Sequence, residues 1–259
     1  MEPKNEEHDR RVEGFFSRKS EGYAKSASHA GGSDLHLLVS NLPLSGNSTA
    51  LDIATGTGFT AIEMAKHLKS VCAIDRTEEM LRQAIILSKH KGLANIDFFT
   101  ADVSRIPFKA GMFDIVTCRR AAHHFSEKGE FLMEARRVLK AHGSLGIADM
   151  IAPAGMEAEY NGFERARDSS HGLAENKNDW KRIVEDAGFM IQFLKVEEER
   201  VSFEKWLFPV TESEEGGKKA RRFLDGSPFD FKKSISYDAA EDSFLKRRIV
   251  IVATADGGD

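Results

Sequence analysis

The chain has 259 residues, of which 41% are hydrophobic and 30% charged, and a formal net charge of −4. That balance describes one large domain, or one domain carrying a lid, with an ample core. It argues against a basic nucleic-acid footprint and against a membrane span, since no run approaches ~18 consecutive apolar residues.

In chain order, residues 1 to 45 read as helices ahead of a sheet, and their charged start, Met1 to Arg10, is not a signal peptide. TALDIA at 49 to 54 reads as the first strand. Residues 59 to 69 form a helix with Ile62, Ala65 and Leu68 on one face. VCAID at 71 to 75 is a second strand. Thr77 can cap the next helix, with Glu78 and Glu79 in its first turn and Gly92 as its stop. NIDFFTA at 95 to 101 and FDIVTC at 113 to 118 are strands three and four. Ser126 to Lys140 is a helix, and SLGIADM at 144 to 150 a fifth strand. Asn178 can cap a helix running to Gly188, followed by strands at 189 to 196 and 247 to 255. Alternation of this kind marks βα units and a mostly parallel sheet. Two stretches, 151 to 177 and 198 to 246, read as insertions that pack over the strand ends, where open α/β sheets bind ligands. Cys72 and Cys118 lie far apart in apolar runs, so reduced buried thiols are expected, with no metal site. A cytoplasmic protein is the expectation.

The strongest local signal is LDIATGTGFT at 51 to 60, a strand, a turn through Gly56, Thr57 and Gly58, and a helix. Glycines permit a sharp turn and close approach of a ligand, and the helix start presents unpaired N–H groups. With Ala61 the run also satisfies the GxGxxA form of the dinucleotide fingerprint. Asp75, at the end of strand two, can accept hydrogen bonds from both ribose hydroxyls of a nucleoside. Ala101-Asp102-Val103, after strand three, adds an acid that can reach the exocyclic amine of an adenine and a backbone N–H for its ring.

The ordered run of LDIATGTG, AIDRTEEML, ADVSRIPF, FDIVTCRRAAHHF and EARRVLKAHGSLGIADM resembles the class I methyltransferases that depend on S-adenosylmethionine (SAM). The resemblance covers about residues 14 to 196. FFSRKSEGYAKSASHAGGSDL at 15 to 35, CRRAAHHF at 118 to 125 and RDSSH at 167 to 171 look like the subgroup related to the ubiquinone/menaquinone-biosynthesis C-methyltransferases. Ala54 departs from the glycine many members carry there. The resemblance implies a Rossmann-like three-layer α/β sandwich with a mostly parallel seven-stranded sheet. It implies a helical cap at 1–45, a SAM-binding domain at 46–198, and an insertion plus final strand at 199–259. Gly56 and Gly58 would pass the methionine moiety, with Ala54 in the same turn and Asp52 behind it, near the ammonium group. Asp75 would hold the ribose. Arg76 and Met80 would flank the adenine, and Asp102 and Val103 would read its edge. The backbone near Arg119 would meet the amino group. Tyr23, Ser26 and His29 would close over the cofactor.

Methyl transfer from a sulfonium needs mainly alignment and dry surroundings, and a base only where the acceptor must lose a proton. His123 and His124 follow strand four, and His124 is the preferred group to orient or deprotonate the acceptor, against the alternative of one packed and one solvated ring. Arg165, Arg167 and His171 could clamp an anionic acceptor, although a salt-bridged helix end is the favoured reading. EEER at 197 to 200 and KKARR at 218 to 222 read as exposed faces, and Trp180 and Phe189 as core. Three functions stay open. They are a SAM methyltransferase acting on a small molecule and releasing S-adenosylhomocysteine (SAH), a SAM- or SAH-binding protein without catalysis, and an NAD-dependent oxidoreductase. No nucleic-acid or membrane partner is expected. The second insertion could be a lid or a homodimer contact.

Overall fold

The computed structural model describes residues 3–255, with side chains described from Glu7 onward. Residues 1–2 and 256–259, the outer ends of the first and last predicted segments, lie outside the described residues. Three helices come first, α1 (Pro3–Ala24), α2 (Ala27–Gly31) and α3 (Ser33–Asn41). Alternation follows, with β1 (Thr49–Ile53), α4 (Phe59–Ala65), β2 (Ser70–Asp75), α5 (Glu78–His90), β3 (Ile96–Thr100) and β4 (Phe113–Arg119). Then come α6 (Lys128–Val138), β5 (Leu139–Met150), α7 (Glu157–Arg167), α8 (Lys177–Asp186) and β6 (Phe189–Ser202). The chain continues with α9 (Phe203–Leu207), α10 (Glu215–Gly226), α11 (Phe229–Ser234) and β7 (Ser243–Ala255).

The strands form one seven-stranded sheet in the order β3-β2-β1-β4-β5-β7-β6. The first five are parallel, and β7 runs antiparallel to both neighbours. Strand period two sorts side chains to opposite faces. Leu51, Ile53 and Val116 join one core with Phe131, Trp180 and Val184, while Ala50, Val71 and Ile115 join the other with Leu35, Leu38 and Met64. Helices cover both faces, which gives the expected three layers. Trp180 and Phe189 are core, as read.

Several boundaries differ from the sequence reading. The helix after strand four stops at Val138, because Leu139 already pairs with Phe113 in the sheet. The cap of α8 is Asn176, whose Oδ1 accepts the N–H groups of Asn178 and Asp179. The last two strands are longer than their apolar runs. Pairing between β6 and β7 extends from Phe189↔Ala255 to Ser202↔Ser243. The polar extension holds because opposite charges face each other across it, an arrangement that supports sheets: Arg247 meets Glu198 at 2.7 Å and Arg248 meets Glu199 at 2.8 Å. EEER is therefore a paired strand, with Glu198 and Arg200 exposed as read and Glu197 and Glu199 half-buried. In KKARR, Arg221 bonds Asp242 and lies 3.6 Å over the Phe203 ring.

The two insertions share one core. Phe163 of α7 stacks on Trp206 of α9 at 4.2 Å and meets Phe231 of α11 and Phe244 of β7 edge-on. A smaller cluster of Phe15, Tyr23, Met80 and Val210 ties α1 to α5 and to the segment after α9. The result is a roof over the carboxyl ends of the central strands, made by α1 and by the two insertions, which together form a cap apart from the leader helices.

Candidate functional site

The turn after β1 takes a left-handed backbone at Ala54, Gly56 and Gly58, with φ of 51°, 55° and 85°. At Gly58 a side chain would also strike Ala84, whose Cβ lies 2.9 Å from the position a Cβ would take. Gly58 thus seats α4 close against α5. The turn is held by carboxylates from below and beside it. Asp52 accepts the Thr55 and Thr117 hydroxyls at 2.6 and 2.7 Å, and burial pushes its carboxyl up to about 6. Asp75 accepts the Gly56 N–H at 2.8 Å and the Thr77 N–H at 2.9 Å, and burial raises its carboxyl too.

Above this turn lies a cavity of about 300 Å³, at the small end of ligand pockets. Ala54, Gly56, Asp75, Arg76 and Met80 line it from the first two strand ends. Asp102 and Val103 line it from the third, Arg119 from the fourth, and Tyr23 and His29 from the leader. Three expected residues do not face it. Asp52 is 1% exposed beneath the turn, Gly58 is taken up by helix packing, and Ser26 bonds His29 Nδ1 at 2.8 Å. They shape the wall without forming it.

Helix α1 closes the cavity from outside. Asp9 pairs with Arg76 at 2.6 Å, Ser17 donates to Glu79 at 2.8 Å, and Lys19 reaches Glu214 of the cap segment at 2.6 Å. Arg76 also holds Asp102 at 2.7 Å. Deeper in, Asp34 is 1% exposed and grips two guanidinium groups. Arg119 reaches it at 2.8 and 3.2 Å, and Arg120 at 2.8 and 2.6 Å. Burial alone would raise the Asp34 carboxyl, but Arg119 and Arg120 hold it well below the usual carboxylate range.

A second cavity of about 80 Å³ abuts the first. Phe16, Tyr23, His29, Arg120 and His124 line both and form the partition. His123 lines only the smaller one. Its Nδ1 lies 2.6 Å from Asp149 Oδ1, and its backbone N–H donates to Asp149 Oδ2 at 2.9 Å. A carboxylate only accepts, so Nδ1 carries a proton toward Asp149 and Nε2 is the ring's other, unbonded nitrogen. His124 Nδ1 donates to the Ser170 carbonyl at 2.9 Å. Burial and the neighbouring His123 push the His124 imidazole down to about 4.

Arg165, Arg167 and His171 do not form a common clamp. Arg165 is exposed and bonds the Gly172 carbonyl. Arg167 is tied to Glu164 and to the Trp206 carbonyl. His171 donates from Nε2 to Asn161 Oδ1 at 2.7 Å, and of the three only Arg167 lines a cavity. Sequence reasoning missed Asp9, Phe16, Arg120 and the β7 pair Lys246 and Arg248. The last two had a signal, since LKRRIV puts cations at period two on a strand.

Buried neutral histidines predict acid lability. His29 is held well below the usual imidazole range by burial and by Arg120 and Arg119, and His171 is pushed to about 2 by burial and His123. With His124 they stay neutral in the fold while the unfolded chain takes up protons near pH 6.5. The folded state then binds fewer protons, so stability is full above about pH 6.5 and falls as the pH drops toward 4. Asp52, raised to about 6, and Asp75, raised as well, act oppositely as their carboxyls take up protons in the fold first, two groups against three. Thermal unfolding at pH 5 should come roughly 5 °C or more below that at pH 7.5. An unchanged or higher midpoint at pH 5 contradicts the neutral assignment.

Among the described residues no helix is long and apolar enough to cross a membrane, and no group of three or more His, Cys, Asp or Glu could hold a metal ion. Comparison with known proteins gives a consistent picture. A family model described as a methyltransferase domain matches residues 44–188. A candidate methyltransferase of Bacillus halodurans of known structure is 34% identical, superposes with a TM-score of 0.81, and is covered in full by 87% of this chain. The uncharacterized methyltransferase YcgJ of Bacillus subtilis is 29% identical over 194 residues, spanning 74% of this chain and 77% of its own. The ubiquinone/menaquinone biosynthesis C-methyltransferase UbiE of a Geobacter strain is 33% identical over 121 residues, 44% of this chain and about half (51%) of its own.

Proposed function

Since the chain belongs to the methyltransferase domain family, we propose that it transfers the methyl group of SAM to a small-molecule acceptor, with SAM in the larger cavity and the acceptor in the smaller. The observation that carries this reading is Asp75, whose carboxylate braces the Gly56 turn from the end of β2 while facing a cavity that shares a wall with a second one. The sheet order also speaks for it. A dinucleotide-binding sheet runs 3-2-1-4-5-6 in parallel, whereas here an antiparallel β7 separates β5 from β6.

The residues present suit the cofactor. Asp75 takes the ribose hydroxyls, Met80 and Val103 offer apolar contact to the adenine, and Asp102, oriented by Arg76, accepts from its amine. Thr57 and Gly56 expose backbone to the methionine portion, beside the guanidinium groups of Arg119 and Arg120. The leader helices exclude water from above, 46–198 carries the binding loops, and 199–259 supplies the cap and final strand. SAM brings a methyl group already activated by the sulfonium charge. The protein supplies alignment, worth roughly 7–11 kcal/mol in well-oriented systems, and a proton acceptor where one is needed. His123 fits that task better than His124. Asp149 holds its Nδ1–H and leaves Nε2 as the nitrogen that can take a proton, whereas His124 is a weak base.

Calorimetric titration with SAM, SAH and NAD tests the assignment. SAM and SAH should bind with one site per chain, and NAD should not. Asp75→Ala removes the ribose acceptor and frees two N–H donors, so affinity should fall about a hundredfold or more. NAD binding without a response to SAM or SAH overturns the reading. SAM binding without turnover over a broad acceptor screen favours a binding protein.

A further inference from the structure

The smaller cavity has room for two or three water molecules at about 30 Å³ each, which also suits a carboxylate or phosphate group. Its wall is cationic. Lys246 and Arg248 stand two apart on β7 and so share a face, and they are 7% and 8% exposed. Arg167 enters from the end of α7, Arg120 from the partition and Lys205 from α9. Five cations thus face three carboxylates, Asp149, Asp168 and Glu199. Those carboxylates are already engaged. Asp149 holds His123 and the Met150 N–H, Asp168 the Ser170 N–H and hydroxyl, and Glu199 holds Arg248. The acids behind Lys246 and Arg120, Glu164 and Asp34, are each 1% exposed and line neither cavity. Glu164 Oε1 lies 3.3 Å from Lys246 Nζ.

Two further observations agree. The buried Nε of Arg167 has no hydrogen-bond partner among the described residues. Burial pushes the Lys246 ammonium down to about 8, and Arg167, Arg248 and Arg120 add to this although Glu164 opposes it.

We propose that the smaller cavity is the anion subsite of the methyl acceptor, in which Lys246 and Arg248 hold a carboxylate or phosphate group while the accepting atom faces the partition beside His123. The acceptor is then a small organic anion and not an amine cation such as choline, which the same wall would repel. This rests on the larger cavity as the SAM site, but anion binding can be measured without SAM.

The full chain, free of SAM, is titrated calorimetrically with inorganic phosphate, with acetate and with choline. One saturable site for phosphate or acetate is expected, and the better of the two identifies the acceptor's group. Arg248→Gln should weaken it about tenfold or more, since charge-assisted hydrogen bonds contribute roughly 1.5–3 kcal/mol. That variant leaves Glu199 in contact with solvent, so it should fold. Lys246→Met leaves Glu164 with Arg167 as its cation and serves as a second variant if circular dichroism shows it folded. Asp75→Ala should keep the anion site. The proposal is overturned if neither anion saturates, if choline binds instead, or if Arg248→Gln binds like the wild type. Anion binding that survives alongside absent SAM binding would sink the cofactor assignment and leave this one standing.

Discussion

An Asp34→Ala variant should lose about 3–5 kcal/mol of unfolding free energy, the cost of removing one partner from a buried ion pair. Asp34 accepts four hydrogen bonds from Arg119 and Arg120. Without it two guanidinium groups remain buried side by side, their charges mutually repelling and poorly hydrated. Arg120 already feels this environment, since burial together with Arg119 and Arg248 pulls it down to about 9 with Asp34 present. Urea unfolding followed by circular dichroism gives the number. The exposed pair Lys66–Glu63 is the control, because surface pairs contribute at most about 1 kcal/mol. A loss at Asp34 no larger than that would mean the knot is solvated and not structural. SAM affinity should fall in the same variant, since Arg119 and Arg120 line the larger cavity.

For an acceptor that must shed a proton, His123→Ala should lower kcat by about 10²–10⁴, the usual contribution of a general base. SAM affinity should stay within about threefold of wild type, well below the effect of a lost hydrogen bond to a charged group, because His123 does not line the larger cavity. Imidazole added to the medium should restore part of the rate, which a purely structural loss would not permit. Asp149→Asn should lower kcat and spare SAM binding, since Asp149 acts through His123 as a positioning residue. His124→Ala should cost less than tenfold in kcat, on the order of 1 kcal/mol. SAH release, followed in a coupled assay with each acceptor of the anion screen, measures all three. Equal losses at His123 and His124, with no rescue, would remove His123 from its role.

The central sheet was legible because its cues are local. TALDIA and VCAID are short apolar runs, the first leading into the Gly56 turn and the second ending on Asp75, and TGTG suits a chain that turns sharply. The same locality made ten of the thirteen expected cofactor residues line the larger cavity. Asp52 lies behind the turn, as read, while Ser26 and Gly58 face away because a motif shows which residues belong to a turn, not which way each faces. Asp52 looks like a ligand group in the string but serves Thr55 and Thr117. The remainder depends on distant pairings that no window contains. Asp34 meets its arginines across 85 and 86 positions. Phe163 meets Trp206 and Phe244 from separate insertions. The anion subsite needs β7, α7 and α9 at once. Even the lengths of β6 and β7 followed from cross-strand charge and from the distant burial of the pair Val201 and Phe244, beyond the apolar runs that stop at Val196 and resume at Ile249.

The place of β7 also sets an order of events during synthesis. It is made after β6, yet it sits between β5 and β6. Until residues 243–255 leave the ribosome, β5 has one unpaired edge and β6 has no partner at all. Phe244, a wall of the cap's aromatic core, and the Lys246–Arg248 pair arrive on the same strand. The nascent chain can assemble β1 to β5 early, but it carries a sticky edge and an open cap until β7 arrives. Closing the sheet, sealing the cap and completing the second cavity are thus one late step, and a chain stalled before it would be prone to aggregate.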